Sequence, residues 1–245
     1  MKIRLALAAV AASAALLGGA IGAPAAHAAP SSDAVAAKNA LDAIQPTDAA
    51  SVIDGIEAAN KVLNQLGITP FTPTVGLCTD FSLSLAAGGA VAGPYTPGVG
   101  DLTVEVPLVG DIDLNAVKKG EVLYGFVPTG LINDSGDKSG MRVAWFNVNT
   151  FKGGLGEPMG GVTDIILDAV NKRIAESDVL GLAAIAKPVI ESTLTPALNL
   201  IPNNGVRAGL VDTGSGTVLS AIYGTVKKGD ATCFFFPSLG IATAK

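Results

Sequence analysis

Histidine is almost missing from this chain, whose 245 residues include a single one, His27. Histidine is the side chain whose ordinary pKa lies nearest to neutrality, and it is the commonest metal ligand in proteins. Nucleophile pairs of the Ser-His or Cys-His type therefore have only His27 on which to form. The two cysteines are also too few for an all-thiolate zinc site.

Residues 1–28 have the pattern of a secretory signal peptide. Lys2 and Arg4 form a short positive start, an apolar run rich in alanine follows, and Ala26-His27-Ala28 is a small-x-small cleavage site. The alternative is a membrane anchor, which the weakly partitioning alanines and glycines of the run disfavour. Cleavage leaves 245 − 28 = 217 residues without histidine, which excludes most serine-protease, esterase and metalloprotease classes.

Charged residues are scarce, at 15% of the chain against about 25% in an average soluble domain. The 16 basic and 21 acidic residues become 14 and 21 after cleavage, a net charge of −7. Such a balance offers no basic patch for a phosphate backbone, so we expect no nucleic-acid partner. The glycine-rich stretch 153–161 lacks the spacing of a dinucleotide or P-loop fingerprint, so we expect no nucleotide either.

The hydrophobic period changes from helical to strand-like near Cys78. Residues 33–44 and 47–66 have a helical pattern, and residues 162–201 form a second helical region that Pro188 and Pro196 interrupt. Alternating patterns predict strands at 78–85, 102–114, 121–127, 141–151, 206–211, 217–226 and 231–236. This order predicts an α+β fold, an antiparallel sheet or sandwich with N-terminal helices and a helical insertion before the last strands.

We divide the chain accordingly into three parts. Residues 1–28 are the signal peptide, 29–70 an N-terminal helical segment, and 71–245 a β-rich domain with its helical insertion at about 162–201.

Cys78 and Cys233 have one intramolecular pairing available, and in an exported chain we expect them to form a structural disulfide. The bridge closes a loop of 233 − 78 = 155 residues, and it places the first strand, which Cys78 opens, beside the last strand. A redox-active thiol pair is the alternative, but it needs close spacing or nearby cations, and the sequence has neither.

The tetrapeptide Asp212-Thr213-Gly214-Ser215 resembles the catalytic loop of aspartic proteases. Two carboxylates that share a proton can activate water without histidine. The chain has no second copy of the loop, however, and only 245 − 212 = 33 residues follow Asp212. We therefore interpret the tetrapeptide as a hairpin turn, in which Gly214 and Gly216 supply positive φ angles.

Other acidic residues raise the question of a sugar cleft. A carboxylate pair for glycoside hydrolysis has five candidates, namely Asp80, Glu105, Asp111, Asp113 and Glu121. A sugar cleft usually also needs aromatic platforms, whereas Trp145, beside Phe146 in a predicted strand, is more typical of a core residue.

Acidic residues can also bind a metal ion. Asp111-Ile112-Asp113 begins like a calcium loop, but Ala116 and Val122 stand where an EF-hand needs Gly and Glu. Calcium binding through Asp134 and Asp137 in the later loop is an alternative, but an Asx turn explains both residues more simply. We assign no catalytic residue, cofactor or metal.

The mean hydropathy of +0.48 is high for an exported domain. Apolar residues concentrate in 162–201 and in strands such as 217–226, where both faces are apolar. Two interpretations remain open: a buried sheet covered by helices, or a surface that meets lipid or another subunit. Lys187 and Glu191 argue against a transmembrane span in the helical region.

The alanine-rich leader and the high alanine, glycine and valine content resemble those of exported proteins of high-GC actinobacteria. This compositional resemblance implies a cell wall with an outer lipid layer as the setting. We expect an exported, non-catalytic cell-envelope or secreted protein that acts as a binding or structural module, with an envelope component or lipid as partner. The alternatives are an envelope pore or lipid-contacting protein, and a hydrolase that uses carboxylates alone.

Overall fold

A computed structural model describes residues 5–6, 67–106, 110–129, 136–176 and 205–245, with separate helical positions at 56–64 and 194–198. For residues 5–6, 104–106 and 110 it describes the backbone only. The rest of the predicted signal peptide, the predicted helix at 33–44, most of 177–204 and Asp134 lie outside the described residues.

The described part of the chain is mostly strand. The strands are β1 (Leu5–Ala6), β2 (Thr69–Cys78), β3 (Leu83–Ala92), β4 (Thr103–Val106), β5 (Gly110–Asp113), β6 (Glu121–Pro128), β7 (Met141–Asn147), β8 (Lys152–Leu155), β9 (Gly160–Gly161), β10 (Arg207–Asp212), β11 (Gly216–Lys228) and β12 (Ala231–Ala244). One helix, α1, spans Val162–Glu176 before the last three strands. Asp164 in its first turn and Arg173 in its last turn match the helix dipole.

Nine of the strands form one antiparallel sheet in the order β8-β7-β11-β12-β2-β3-β6-β10-β9. A smaller sheet contains the β4–β5 hairpin, with β1 parallel to β4. The α+β prediction is confirmed, and the core is a single sheet rather than two stacked ones.

The large sheet curls until strands far apart in its order meet. The hydroxyls of Tyr124 in β6 and Ser220 in β11 are 2.8 Å apart, although three strands separate β6 from β11. The two ends of the sheet also approach, because β8 and β9 are joined by only residues 156–159. Within that segment the Gly156 and Met159 N–H groups donate to β7 carbonyls.

The curl separates an inner core from an outer layer. The inner core lies on the concave side and consists mainly of Phe71, Ala86, Ala90, Val122, Tyr124, Phe126, Met141, Val143, Val218, Ile222, Val226 and Phe235. On the convex side, α1 packs Val162, Ile166, Val170 and Ile174 in a cluster with β6 and β10. Gly89 in β3 lets the chain near Leu63 and Ile68 approach closely, since a Cβ there would lie 2.6 Å from the Ile68 side chain.

The predicted disulfide between Cys78 and Cys233 is confirmed. The two cysteines stand opposite each other in β2 and β12, and both are buried, so the first and last strands of the sheet are neighbours as expected. Cys78 ends β2, however, and does not open a strand. The sequence pattern missed β2 because Pro70 and Pro73 interrupt it, and the register with β3 shifts between these prolines.

Above the disulfide, β2 and β12 separate and are connected through side chains. The Thr74 hydroxyl donates to the Phe236 carbonyl at 2.5 Å, and the Ser238 hydroxyl donates to the Thr72 carbonyl at 2.6 Å. Pro237 lies where the register of β12 with β11 shifts, a position that tolerates proline because no ladder bond is needed there. This explains why β12 continues to Ala244 beyond the predicted end at residue 236.

Replacing both Cys78 and Cys233 by serine should lower the free energy of unfolding by roughly 2–5 kcal/mol, because the unfolded chain regains the freedom of a long closed loop. Urea denaturation measures this change. Wild-type protein in reducing agent should show the same loss, and an unchanged midpoint in both samples would contradict a stabilising bridge.

Tyr124 predicts a dependence of stability on alkaline pH. Burial raises the pKa of Tyr124 to about 12, against a smaller opposite effect of its hydrogen bond with Ser220. Because the folded-state pKa lies above the unfolded value near 10, the Tyr124 contribution is complete below pH 10 and is lost as the pH rises toward 12.

The variant Tyr124→Phe should be less stable than wild type by about 1 kcal/mol at pH 8, because the Ser220 hydroxyl loses its partner. This difference should shrink above pH 10 and reverse in sign by about pH 12, because the gap between a folded-state pKa of about 12 and an unfolded value near 10 outweighs about 1 kcal/mol. Urea midpoints of the two proteins across that range test it. A difference that does not change with pH would be evidence against the raised pKa.

Candidate functional site

The convex surface of the sheet is apolar and exposed over β8 and the five strands that follow it, β7, β11, β12, β2 and the start of β3. These strands present Val75, Leu77, Leu83, Phe146, Leu155, Leu219, Phe234, Phe236, Leu239 and Ile241 as exposed side chains. We call this set the bare face. Contiguous apolar surface of this kind is uncommon on monomeric proteins and marks interaction sites.

Strand register makes the bare face continuous. Phe146, Leu219 and Ile241 stand opposite one another across β7, β11 and β12. Leu83, Leu77 and Phe234 form a second row across β3, β2 and β12. Opposite side chains in such rows lie about 4.5–5.5 Å apart at Cβ, so both rows are unbroken.

The same strands are apolar on their concave side. In β11, Val218 and Ile222 are buried in the inner core, whereas Leu219 between them is on the bare face. The two apolar faces noted in the sequence of 217–226 therefore have different environments. Helix α1 covers part of the convex side, and no described element lies over the bare face.

The boundary between covered and bare surface crosses β3. Leu83 is exposed and Leu85 half-buried, whereas Ala87 and Val91, further along on the same side, are buried in the cluster with α1. Small residues mark the covered part, since Gly89 in β3 and Gly125 in β6 make room for Leu63 and Ile68.

Two exposed phenylalanines lie in turns at opposite ends of the strands of the bare face. Phe81, between β2 and β3, is 90% exposed, and Phe151, between β7 and β8, is 79% exposed. Both have positive φ, 63° and 55°, and they are the only residues besides glycine with this conformation in the described ranges. Positive φ is strained for a bulky residue. The Phe151 ring lies edge-on to Phe146, with centroids 6.4 Å apart, so it continues the bare face.

The strands of the bare face carry charge of one sign only. Within their bounds the charged residues are Arg142, Lys152, Lys227 and Lys228, and none is acidic. Arg142 and Lys227 are exposed and lie opposite Tyr223 and Thr232 on the convex side. Acidic residues occur in the turns, such as Asp80 and Asp230.

The loop Asp212–Ser215 is a structural turn, but the predicted hairpin is wrong. β10 pairs with β6 and β9, whereas β11 pairs with β12 and β7, so the two strands that the loop joins are not neighbours. Gly214 and Gly216 do have the predicted positive φ angles. The loop passes the end of β7, where the Asn147 side-chain amide donates to the carbonyls of Thr213 and Ser215 at 2.9 and 3.1 Å.

Asp212 and Glu121 are the two candidate carboxylates that the β10–β6 ladder places opposite each other. Arg173 of α1 donates to both Glu121 carboxylate oxygens at 2.7 and 2.8 Å, and the Asp212 carboxylate accepts the Gly214 N–H at 3.2 Å. Glu121 thus links β6 to α1, and both of its oxygens accept hydrogen bonds, whereas Asp212 stabilises only its own turn.

The remaining candidate carboxylates are dispersed. Asp113 accepts two hydrogen bonds from the fully buried Asn115, and Asp111 is opposite Glu105 in the β4–β5 hairpin. Asp80 accepts the Ser82 hydroxyl and N–H, which lower the pKa of its carboxyl. In the part of the chain that the structure describes, no three His, Cys, Asp or Glu side chains gather as metal ligands would.

Asp137 is in the Asx turn that we predicted, since its carboxylate accepts the Ser139 N–H at 2.9 Å. Trp145 is half-buried and packs against the inner core, as expected. The glycine-rich stretch at 153–161 contains the short strands β8 and β9 rather than an unpaired connection.

The sequence pattern did not identify Phe81 and Phe151 as surface features. We placed Phe81 in an alternating strand and Phe151 at the end of a longer β7. Nearby residues gave a usable signal, because the Asp80 side chain holds its turn and the Asn147 Oδ1 accepts the Asn149 and Thr150 N–H groups that end β7.

Comparison of the chain with protein-family models, curated proteins and solved structures finds no match. None of the described helices has the length and apolar content needed to cross a membrane.

The ion pair between Glu121 and Arg173 makes a prediction about stability. Glu121→Gln should destabilise the protein by about 3 kcal/mol, because the Arg173 side chain is only 5% exposed and loses its main partner. Chemical denaturation measures the loss.

Glu157→Gln is the matched control, since Glu157 is exposed and its change removes the same charge, and its midpoint should stay close to that of wild type. Equal effects of the two substitutions would show that the buried ion pair contributes no more to the free energy of unfolding than an exposed carboxylate does.

Proposed function

We propose that this protein is an exported, non-catalytic cell-envelope binding module and that the bare face is its binding surface. The observation that carries the proposal is the continuous row Phe146–Leu219–Ile241 and its neighbours, which stay exposed although their strands also supply the inner core. An apolar patch of this size costs solubility, so its presence favours a function that covers it.

Export is supported by two features. The Cys78–Cys233 disulfide indicates an oxidising environment. The charged start, apolar run and small-x-small site of residues 1–28 have the order of a cleaved signal peptide.

A non-catalytic role is supported by what the candidate carboxylates do. Glu121 is occupied by Arg173, Asp113 by Asn115, and Asp212 by the backbone of its own loop. Cleavage of the signal peptide also removes His27, the single histidine of the chain.

Cell fractionation tests the proposal. The full chain, expressed in an exporting bacterial host, should appear in the envelope fraction with a mass that begins at Ala29 and with both cysteines oxidised. The double variant Leu219→Thr/Ile241→Thr should fold but lose retention in the envelope by about tenfold, because two apolar contacts disappear while strand propensity is kept.

Lys119→Gln/Lys172→Gln is the control, since both lysines are exposed and lie outside the strands of the bare face. It should be retained like wild type. The proposal fails if wild-type protein stays in the cytosol with free thiols, or if the Leu219/Ile241 variant is retained as well as the control.

A further inference from the structure

We propose that the bare face binds an anionic lipid surface, with the Phe81 and Phe151 side chains inserted among the acyl chains. This inference rests on the proposed function and names the partner of the same surface. A second copy of the chain is the competing occupant, and three observations favour lipid over it.

The first observation is shape. The sheet curls around its inner core, as the Tyr124–Ser220 hydrogen bond shows, so the bare face is on its convex side. Two convex faces touch along a narrow line, and a rigid second copy would leave most side chains uncovered. A lipid layer is deformable and can follow the curvature.

The second observation is area. The bare face is five strand spacings wide and runs from Phe234 to Ile241 along β12, which at about 4.8 Å per strand and 3.3 Å per residue gives roughly 550 Å². A standard protein interface covers about 800 Å² on each partner, and an obligate homodimer covers more. A flat footprint of this size is at the lower end for a stable dimer, whereas peripheral binding to lipid has no such minimum.

The third observation is charge. On the convex side the strands of the bare face carry Arg142 and Lys227 and no acidic residue, although the chain as a whole is acidic. Packing two bare faces together would bring like charges near each other. An anionic headgroup layer attracts each lysine or arginine that reaches it.

The two turn phenylalanines agree with insertion. Phe81 and Phe151 keep a strained positive φ that asparagine or glycine would adopt at lower cost. Their rings stay mostly exposed, although the Phe151 ring also lies edge-on to Phe146 of the bare face, so burial in the core does not account for phenylalanine at either position. Phe81 lies next to the disulfide end of the sheet, and Phe151 lies at the opposite end, where β7 and β8 meet.

Vesicle flotation of the purified full-length export product tests the inference. Wild-type protein should bind vesicles of phosphatidylglycerol and phosphatidylcholine in a 1:1 mixture at least about tenfold more strongly than pure phosphatidylcholine vesicles. This preference should weaken as the salt concentration rises.

Phe81→Asn/Phe151→Asn should reduce binding to both vesicle types by about tenfold or more, because two apolar insertions are lost. Its melting temperature should stay equal to wild type or rise, because asparagine tolerates positive φ. A purely structural role for the two rings would instead lower the melting temperature and leave binding unchanged.

Arg142→Gln/Lys227→Gln should reduce binding to the anionic vesicles by roughly 20-fold and leave binding to neutral vesicles unchanged. Lys119→Gln/Lys172→Gln removes the same charge elsewhere and should bind like wild type.

The inference is overturned if wild-type protein does not float with anionic vesicles. It is also overturned if the protein sediments as a dimer that Leu219→Thr/Ile241→Thr dissociates, since a second copy would then occupy the bare face. Either result leaves the proposed function standing as long as envelope retention depends on Leu219 and Ile241. Loss of that dependence refutes the proposed function itself.

Discussion

The curl of the nine-stranded sheet is the constraint on which the rest of the molecule depends. Because β6 and β11 meet across the concave side, Tyr124 can share a hydrogen bond with Ser220, and the aromatic rings of Phe126 and Phe235 pack with centroids 5.2 Å apart. The same curl gives the sheet a convex side that α1 covers only in part. The inner core and the bare face are therefore two consequences of one geometry.

Polar side chains hold the curled sheet where its backbone ladder is incomplete. Thr72, Thr74 and Ser238 connect β2 to β12 above the disulfide, and Asn147 fixes the loop that carries the chain from β10 to β11. Several residues whose sequence pattern suggests a catalytic role have a structural role instead, and the Asp-Thr-Gly tripeptide is the clearest example.

The sequence predicted features that depend on local pattern. Alternation identified β6, β10 and β11, the helical stripe identified α1, and the export pattern with two cysteines predicted the disulfide. It did not predict features that depend on strand order. The Asp212–Ser215 loop was assigned to a hairpin because the sequence does not show that β10 and β11 are separated in the sheet. β2 was missed because its prolines interrupt the strand pattern, and side-chain hydrogen bonds replace the backbone hydrogen bonds that are missing there.

Only part of the bare face could be predicted from the sequence. The two apolar sides of 217–226 were visible in the sequence, but which side would be covered depends on where the helices pack. Phe81 and Phe151 were assigned to strands, since an alternating apolar residue does not reveal that its backbone turns to positive φ.

Quenching by brominated acyl chains tests the central claim most directly. In a Trp145→Phe background, a tryptophan introduced by Phe151→Trp should lose fluorescence when anionic vesicles carry bromine on their acyl chains, because the account places this side chain below the headgroups. Unchanged fluorescence on vesicles to which the protein is bound would contradict it.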